Sequence, residues 1–306
     1  MRERILDDMK AKPEWLKIRP HYGETYLEVK NLIKESNLHT VCQEANCPNI
    51  AECFSARTAT FMILGDTCTR TCRFCNVNKG RPKWFDPQEP ERVAEACAKL
   101  SLRFAVITSV ARDDLADGGA SIFAETTRQI KAKNPACRVE LLIPDLQGNW
   151  EALKIILDAN PDVLAHNLET VPRLYQHVRP EATYERSLEL LAKSAEIRPD
   201  IVVKSGIMVG LGEAEEELFE LFIDAADHRC QILTIGQYLR PSYWHHPVVE
   251  YRPPDWFARM KWEALLTGIP YIESGPLVRS SYLAHKQLAG FRHRHALMQT
   301  TPSDVK

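Results

Sequence analysis

Between residues 58 and 267, short apolar runs alternate with longer stretches whose apolar positions recur every three or four residues. The runs are rich in β-branched and aliphatic side chains and read as buried strands, whereas the longer repeat reads as amphipathic helix. The strand-like runs are TATFMILG (58–65), FAVITSV (104–110), RVELLIP (138–144), DVLAHNLE (162–169), IVVKSGIMVGLG (201–212) and QILTIGQYL (231–239). Helical patterns lie between them, near 91–100 and 121–133 and in NWEALKIILDAN, YERSLELLAKSAEI and EAEEELFELFIDAADH, with one more near 256–267. About six consecutive β/α units predict an α/β fold, a partial (β/α)6 TIM-like barrel left open because eight units would be needed to close it. The barrel is assigned to residues 59–269, an N-terminal extension to 1–58 and a C-terminal extension to 270–306. Functional groups are expected at the C-terminal ends of the strands, where the β/α loops converge. The polar clusters TSVARDD, HNLET, KSGIMVGLGE and GQYLRPS all fall there.

Composition narrows the class without choosing a function. Hydrophobic residues make up 44% of the 306 and charged residues 26%, with a net charge of −2, so neither nucleic acid nor a membrane is an expected partner. The charged start MRERILDDMKAKPEWLK lacks the apolar stretch of a signal peptide, and no apolar run is long enough to span a bilayer. A cytoplasmic, reducing setting follows, and there nine cysteines read as metal ligands and core thiols rather than disulfides.

Six of the nine cysteines form two triads. Cys42, Cys47 and Cys53 are spaced C-x4-C-x5-C, and Cys68, Cys72 and Cys75 are spaced C-x3-C-x2-C in the loop after the first strand. Three thiolates can hold three corners of a four-iron, four-sulfur cube and leave the fourth iron without a protein ligand. Zinc would need a fourth ligand, and no histidine lies between His39 and His166 to serve the second triad. The first triad taken alone stays open, since His39 would complete a Cys3His zinc site. An electron-transfer or structural metal protein is the reading from a different class. Cys97 shares an apolar helix face with Val93, Ala94 and Leu100 and reads as a core thiol. Cys137 and Cys230 come at strand beginnings, the wrong end of a barrel for catalysis.

The C-x3-C-x2-C loop at the end of a first strand, followed by β/α units, resembles the radical S-adenosylmethionine superfamily. With C-x4-C-x5-C upstream and GPLVRSSY at 275–282, the chain resembles the lipoyl synthase family within it. TSVARDDLADGGA, HNLETVPRLY, KSGIMVGLGE and GQYLRPS extend the resemblance from Cys42 to Tyr282.

The resemblance implies a cluster on Cys68, Cys72 and Cys75 whose open iron binds S-adenosylmethionine, with Phe74 in the cofactor loop. It implies an auxiliary cluster on Cys42, Cys47, Cys53 and Ser281, making two 4Fe-4S clusters in all. Reductive cleavage of two S-adenosylmethionine molecules, through a hydrogen-abstracting 5′-deoxyadenosyl radical, would serve insertion of two sulfur atoms at carbons 6 and 8 of a protein-bound octanoyl-lysine. The auxiliary cluster would be the sulfur source. Unactivated C–H bonds offer no purchase to acid–base groups, which is why a cofactor-borne radical suits them. The implied partners are octanoylated lipoyl carrier domains, namely the acyltransferase subunits of 2-oxoacid dehydrogenases and the glycine cleavage H protein. An electron donor such as ferredoxin or flavodoxin and a cluster-rebuilding carrier protein are implied as well.

Further candidates are weighed residue by residue. Asn167 and Glu169 are placed to bond the ribose or methionine part of S-adenosylmethionine, or simply to cap the next helix. Lys204, inside a strand, needs either a carboxylate partner or the cofactor. The glycines of GIMVGLG would let a backbone approach an adenine, and Arg112 and Asp113 follow the second strand. FRHRHALMQ reads as a solvated tail in which Lys286, Arg292 and Arg294 would help dock an acidic carrier domain. A methylthiotransferase is the alternative within the superfamily, disfavoured because no RNA-binding module follows the barrel. A biotin-synthase-like site is disfavoured by the positions of Cys137 and Cys230.

Overall fold

The computed structural model describes residues 11–18, 22–45, 47–82 and 86–300. Its main sheet has eight strands in chain order: β1 (His39–Thr40), β2 (Thr60–Ile63), β3 (Phe104–Ser109), β4 (Arg138–Leu142), β5 (Val163–Ala165), β6 (Val202–Val209), β7 (Ile232–Gln237) and β8 (Tyr271–Gly275). The short β1 lies antiparallel on the edge beside β2, and every other neighbouring pair is parallel. Strands β2 and β8 are not hydrogen-bonded to each other, so the barrel is open, as the six-unit pattern predicts.

The six crossover helices follow the sequence expectations closely, and three helices near the N-terminal triad add to them. Around the N-terminal triad lie α1 (Glu24–Glu35), α2 (Val41–Glu44) and α3 (Ile50–Ser55). The crossovers are α4 (Glu89–Lys99), α5 (Ala120–Lys133), α6 (Trp150–Asp158), α7 (Tyr184–Ile197), α8 (Glu215–Asp227) and α9 (Pro254–Leu266). Helix α4 shows why they form: Pro90 and two glutamates occupy its first turn, Lys99 its last, and Val93, Ala94 and Cys97 are buried along one face. Cys97 is thus a core thiol, and Cys137 and Cys230 are likewise buried and free.

Two elements depart from the expectation. The sheet carries a seventh parallel strand, β8, so the fold continues into residues assigned to the C-terminal extension. Its sequence YIESG has one apolar side chain on its outer face, Ile272, too short a signal to read as a strand. The tail is also ordered as a helix, α10, over residues 284–300; within FRHRHALMQ Phe291 is buried, while Arg292, His293, His295, Ala296 and Leu297 are exposed, as a solvated stretch would be. Ala284, Leu288 and Phe291, spaced for one helix face, seal the barrel interior against Phe104, Val106, Val163, Val202 and Ile232. The apolar stripe begins upstream of the histidine-rich stretch, which by itself looks polar. Arg292 lies near Arg138 and Asp162, at the start of β4 and next to the start of β5, so this part of the helix is at the end of the barrel opposite the strand termini where function gathers.

Side chains alternate across the sheet as a pleat requires. Outward residues such as Phe61, Ala105, Val139, Leu164, Val203 and Leu233 pack beneath the helices. Inward residues lie in levels: the apolar floor closed by α10, then a buried Lys204–Glu140 ion pair at 2.7 Å, then an open cavity at the C-terminal strand ends.

Candidate functional site

The cavity at the strand ends has a volume of about 510 Å³, and both triads reach it: its walls include Cys42 and Cys47, then Cys68, Cys72 and Cys75, and Ser281. The C-x3-C-x2-C loop is fixed by neighbours far away in sequence. Arg70, between the first two cysteines, makes a fork of hydrogen bonds to Asp113 at 2.7 and 2.8 Å and a third, at 2.5 Å, to Asp145. Both Arg70 and Asp145 are buried. Burial alone would raise the Asp145 carboxyl, but hydrogen bonding and charge from Arg70 win and hold it at about 2. Thr69 donates to Ala111 O, and the Ala111 amide donates to the Cys68 sulfur at 3.3 Å. Downstream, Arg73 N donates to Val178 O, and His245 Nε2 lies 3.0 Å from Cys75 O. Asp113, singled out from sequence, therefore holds the cysteine loop, while Arg112 bonds Asp114.

Two of the thiols, Cys72 and Cys75, are poorly placed to ionise alone. Burial pushes Cys72 up to about 12 against the opposing pull of Arg179, with Cys75 and Cys68 repelling its charge. Cys75 is raised by burial too. Desolvated thiols such as Cys72 and Cys75 become thiolates readily only where a cation compensates them, which is what an iron cluster supplies.

The N-terminal triad has the same character. Cys42, Cys47 and Cys53 surround a small cavity of about 20 Å³ together with Arg279, Ser281 and Tyr282. Burial raises all three thiols, Cys42 to about 11 and Cys53 to about 12. The serine-bearing segment is tied to the triad: Asn49 Nδ2 donates to Leu277 O at 2.7 Å and Tyr282 OH to Glu52 Oε2 at 3.0 Å. Strand β7 accommodates it through Gly236, where a Cβ would stand 2.1 Å from Val278 O. The Arg279 guanidinium, depressed by burial and supported by Cys47, is the cation of this pocket. His39 does not complete the triad as a zinc ligand; its Nδ1 faces Glu44 Oε1 at 3.4 Å. Among the described residues no three histidine, cysteine, aspartate or glutamate side chains gather tightly enough for a single metal ion. Three thiols and one hydroxyl around one cavity are a donor set that fits a cluster, with its wider ligand spacing.

The remaining candidates separate by position. Phe74, Asn167 and Glu169 line the main cavity; Lys204 does not. Lys204 is spent on Glu140, the carboxylate partner its burial demanded, and this is a correction to its cofactor-binding expectation. Asn167 Nδ2 donates to Glu169 Oε1 at 3.0 Å, while Asn167 Oδ1 is buried without a partner. Gly206 makes room for it, since a Cβ there would meet Asn167 Oδ1 at 3.0 Å and Thr234 Oγ1 at 2.5 Å. Burial raises the Glu169 carboxyl, opposed by Arg179. Arg179 was not found from sequence: it donates to Asn167 O at 2.8 Å and keeps a buried, unpartnered Nε at the cavity wall. Its only local signal is a position just before Pro180.

Residues 62–225 match the family model of the radical SAM superfamily, and residues 3–47 match that of the N-terminal domain of lipoyl synthase of the radical SAM family. The lipoyl synthase of Chloroflexus aggregans is 55% identical over 284 residues, covering 92% of both chains. That of Koribacter versatilis is 56% identical over 276 residues, covering 90% of this chain and 91% of the relative. The chain belongs to the lipoyl synthase family. It is a radical S-adenosylmethionine enzyme that inserts sulfur, acting on lipoyl carrier domains, and membership implies a 4Fe-4S cluster and S-adenosylmethionine. Solved structures agree on the fold: a methylornithine synthase superposes with a TM-score of 0.53 at 11% identity, covering 99% of this chain and 94% of its own. A maturase of the FeFe-hydrogenase superposes at 0.51 with 15% identity, covering 93% and 74%. Among the described residues no helix is long and apolar enough to cross a membrane.

Proposed function

We propose that the protein carries two 4Fe-4S clusters facing one substrate cavity, one to activate S-adenosylmethionine and one to be consumed as the sulfur donor. The observation that supports it is the meeting of Cys42 and Cys47 of the first triad, all three cysteines of the second, and Ser281 on the walls of the same cavity. When bound, the clusters and S-adenosylmethionine supply the electron, the hydrogen abstraction and the sulfur atoms, two per octanoyl chain at carbons 6 and 8, at a cost of two S-adenosylmethionine.

The chain's own residues bind, orient and exclude. Cys68, Cys72 and Cys75 hold the first cluster and leave one corner free, on a loop stiffened by Arg70, Asp113 and Asp145. Asn167 Oδ1 and Arg179 Nε, both buried and lacking partners, offer an acceptor and a donor to the amino and carboxylate groups of S-adenosylmethionine. Glu169, beside Asn167, offers a further acceptor. Cys42, Cys47, Cys53 and Ser281 would hold the second cluster, with the serine as its weakest donor. Val41, Met62, Leu142 and Met208 give the cavity an apolar wall suited to an eight-carbon chain and unwelcoming to water. The carriers are the acyltransferase subunits of 2-oxoacid dehydrogenases and the glycine cleavage H protein, with electrons from a ferredoxin or flavodoxin. A cluster-carrying protein rebuilds the second cluster after each round.

The test is anaerobic turnover of an octanoyl-lysine peptide read by mass. Gain of two sulfur atoms, with no net change in hydrogen for the dithiol or two fewer hydrogens for the closed disulfide, supports the reading; recovery of unmodified peptide alongside S-adenosylmethionine cleavage contradicts it.

A further inference from the structure

The segment joining β7 to α9 touches the site from two sides. Leu239, Arg240 and Pro241 form part of the cavity wall. A few residues later the chain is fastened to the cysteine loop, with His245 Nε2 3.0 Å from Cys75 O and His246 N donating to Arg73 O at 2.8 Å. Further bonds stiffen the strap: Ser242 Oγ lies 2.8 Å from His245 Nδ1, Arg240 Nε donates to His245 O at 3.0 Å, and Tyr238 OH to His246 O at 2.7 Å.

Between these anchors the strap carries Trp244, 88% exposed, the highest value among the exposed large hydrophobic side chains described. Tyr243, 38% exposed, meets the Trp244 ring edge-on at 5.7 Å, and the Arg240 guanidinium sits 5.2 Å over the Tyr243 ring. Holding an indole in water on a well-tied loop forgoes the burial of a large apolar surface, on the order of 150–250 Å². Arginine, tyrosine and tryptophan are the side chains that dominate binding hot spots, and a pre-ordered loop presents them without an ordering cost.

We propose that the Arg240–Tyr243–Trp244 stack is the docking anchor for the folded carrier domain that delivers the acyl-lysine to the cavity, an inference that rests on the function proposed above. The occupant follows from continuity. An acyl chain on a lysine reaches the cavity only if the domain surface around that lysine sits at the mouth. The strap runs from the cavity wall at Pro241 to the cysteine loop at His245, with Trp244 in between. A free acyl-lysine peptide has no domain surface to rest on the indole, so the anchor discriminates between the two substrates.

The experiment compares an isolated octanoylated carrier domain with an octanoyl-lysine peptide as substrates for wild type, Trp244→Ala, Trp244→Phe and Trp262→Ala. Trp262 is the control, also strongly exposed at 69% but on helix α9. Trp244→Ala should raise KM for the domain roughly tenfold, the size of a modest hot spot, and leave both constants for the peptide within about twofold. Trp244→Phe should recover most of the loss, and Trp262→Ala should match wild type on both substrates. An unchanged KM for the domain, an equal loss on the peptide, or an equal loss in Trp262→Ala overturns the docking assignment alone. Wild-type protein that converts neither substrate overturns the functional reading, and this proposal with it.

Discussion

Ser281 differs from the other proposed cluster ligands in both chemistry and origin. It is an oxygen donor among thiols, and its segment reaches the triad from the far end of the chain, held by Asn49, Tyr282 and the gap left at Gly236. An alkoxide is a poorer match than a thiolate for iron in a sulfide cluster. Ser281→Cys should therefore still assemble both clusters and release 5′-deoxyadenosine, while doubly thiolated product falls at least about tenfold, corresponding to roughly 1.4 kcal/mol of extra barrier. Ser281→Ala should lose iron from the N-terminal site and keep S-adenosylmethionine cleavage. Product mass alongside 5′-deoxyadenosine reads both, and wild-type yields from both variants would remove Ser281 from the mechanism. A second residue-level expectation concerns His166, buried at the cavity with Nδ1 2.8 Å from Ile143 O and Nε2 3.0 Å from Ser187 Oγ. Burial, reinforced by Arg179, lowers it to about 4 from an ordinary 6.5. The unfolded chain then binds the proton first, so stability present above about pH 6.5 is lost as pH falls toward 4, by about 3 kcal/mol. Urea midpoints of wild type against His166→Gln, measured between pH 7 and 4.5, should converge as pH falls; a gap independent of pH would contradict this.

Helix α10 and strand β8 make the element-scale case. Phe291 is 4% exposed and packs with Leu288 against the first residues of several strands. Phe291→Ala should cost about 3–5 kcal/mol, the usual range for a buried phenylalanine, visible as a lower denaturation midpoint. Because the site lies at the other end of the strands, KM for S-adenosylmethionine should hold at temperatures where the variant stays folded. Gly236→Ala should act oppositely, moving the 277–283 segment and depleting N-terminal iron while the barrel stays folded; iron analysis against circular dichroism separates the two. These elements also mark what sequence could carry. The six strands with continuous aliphatic runs were legible because buried parallel strands are apolar on both faces. Strand β8 was not, since Tyr271, Glu273 and Gly275 face inward and leave Ile272 as the single apolar outward signal. The cysteine triads were legible from spacing, and Lys204 was legible as a residue needing a partner, though the sequence left open whether that was a carboxylate or the cofactor and Glu140 turned out to be it. Arg70–Asp145, Arg179–Asn167 and the Arg279 pocket were not, because those contacts join residues brought together only by the folded sheet.

At the scale of the whole molecule, an open barrel lets two chain termini complete what the strands begin. Residues 42–53 supply one triad, the first β/α loop the other, and the segment after β8 returns with Ser281 to the first triad in a sheet whose edge strands, β1 and β8, are not joined. A closed barrel would leave no gap for that segment. About eight irons per chain should follow from two four-iron clusters after anaerobic reconstitution; about four, or zinc retained by the N-terminal triad, would contradict the arrangement. A division of labour between the two triads can be read by quantifying 5′-deoxyadenosine and doubly thiolated peptide together for Cys42→Ala, Cys47→Ala and Cys53→Ala. Continued 5′-deoxyadenosine release with no two-sulfur product is expected in all three, whereas lipoyl product from any of them would show that the N-terminal cluster is not the donor.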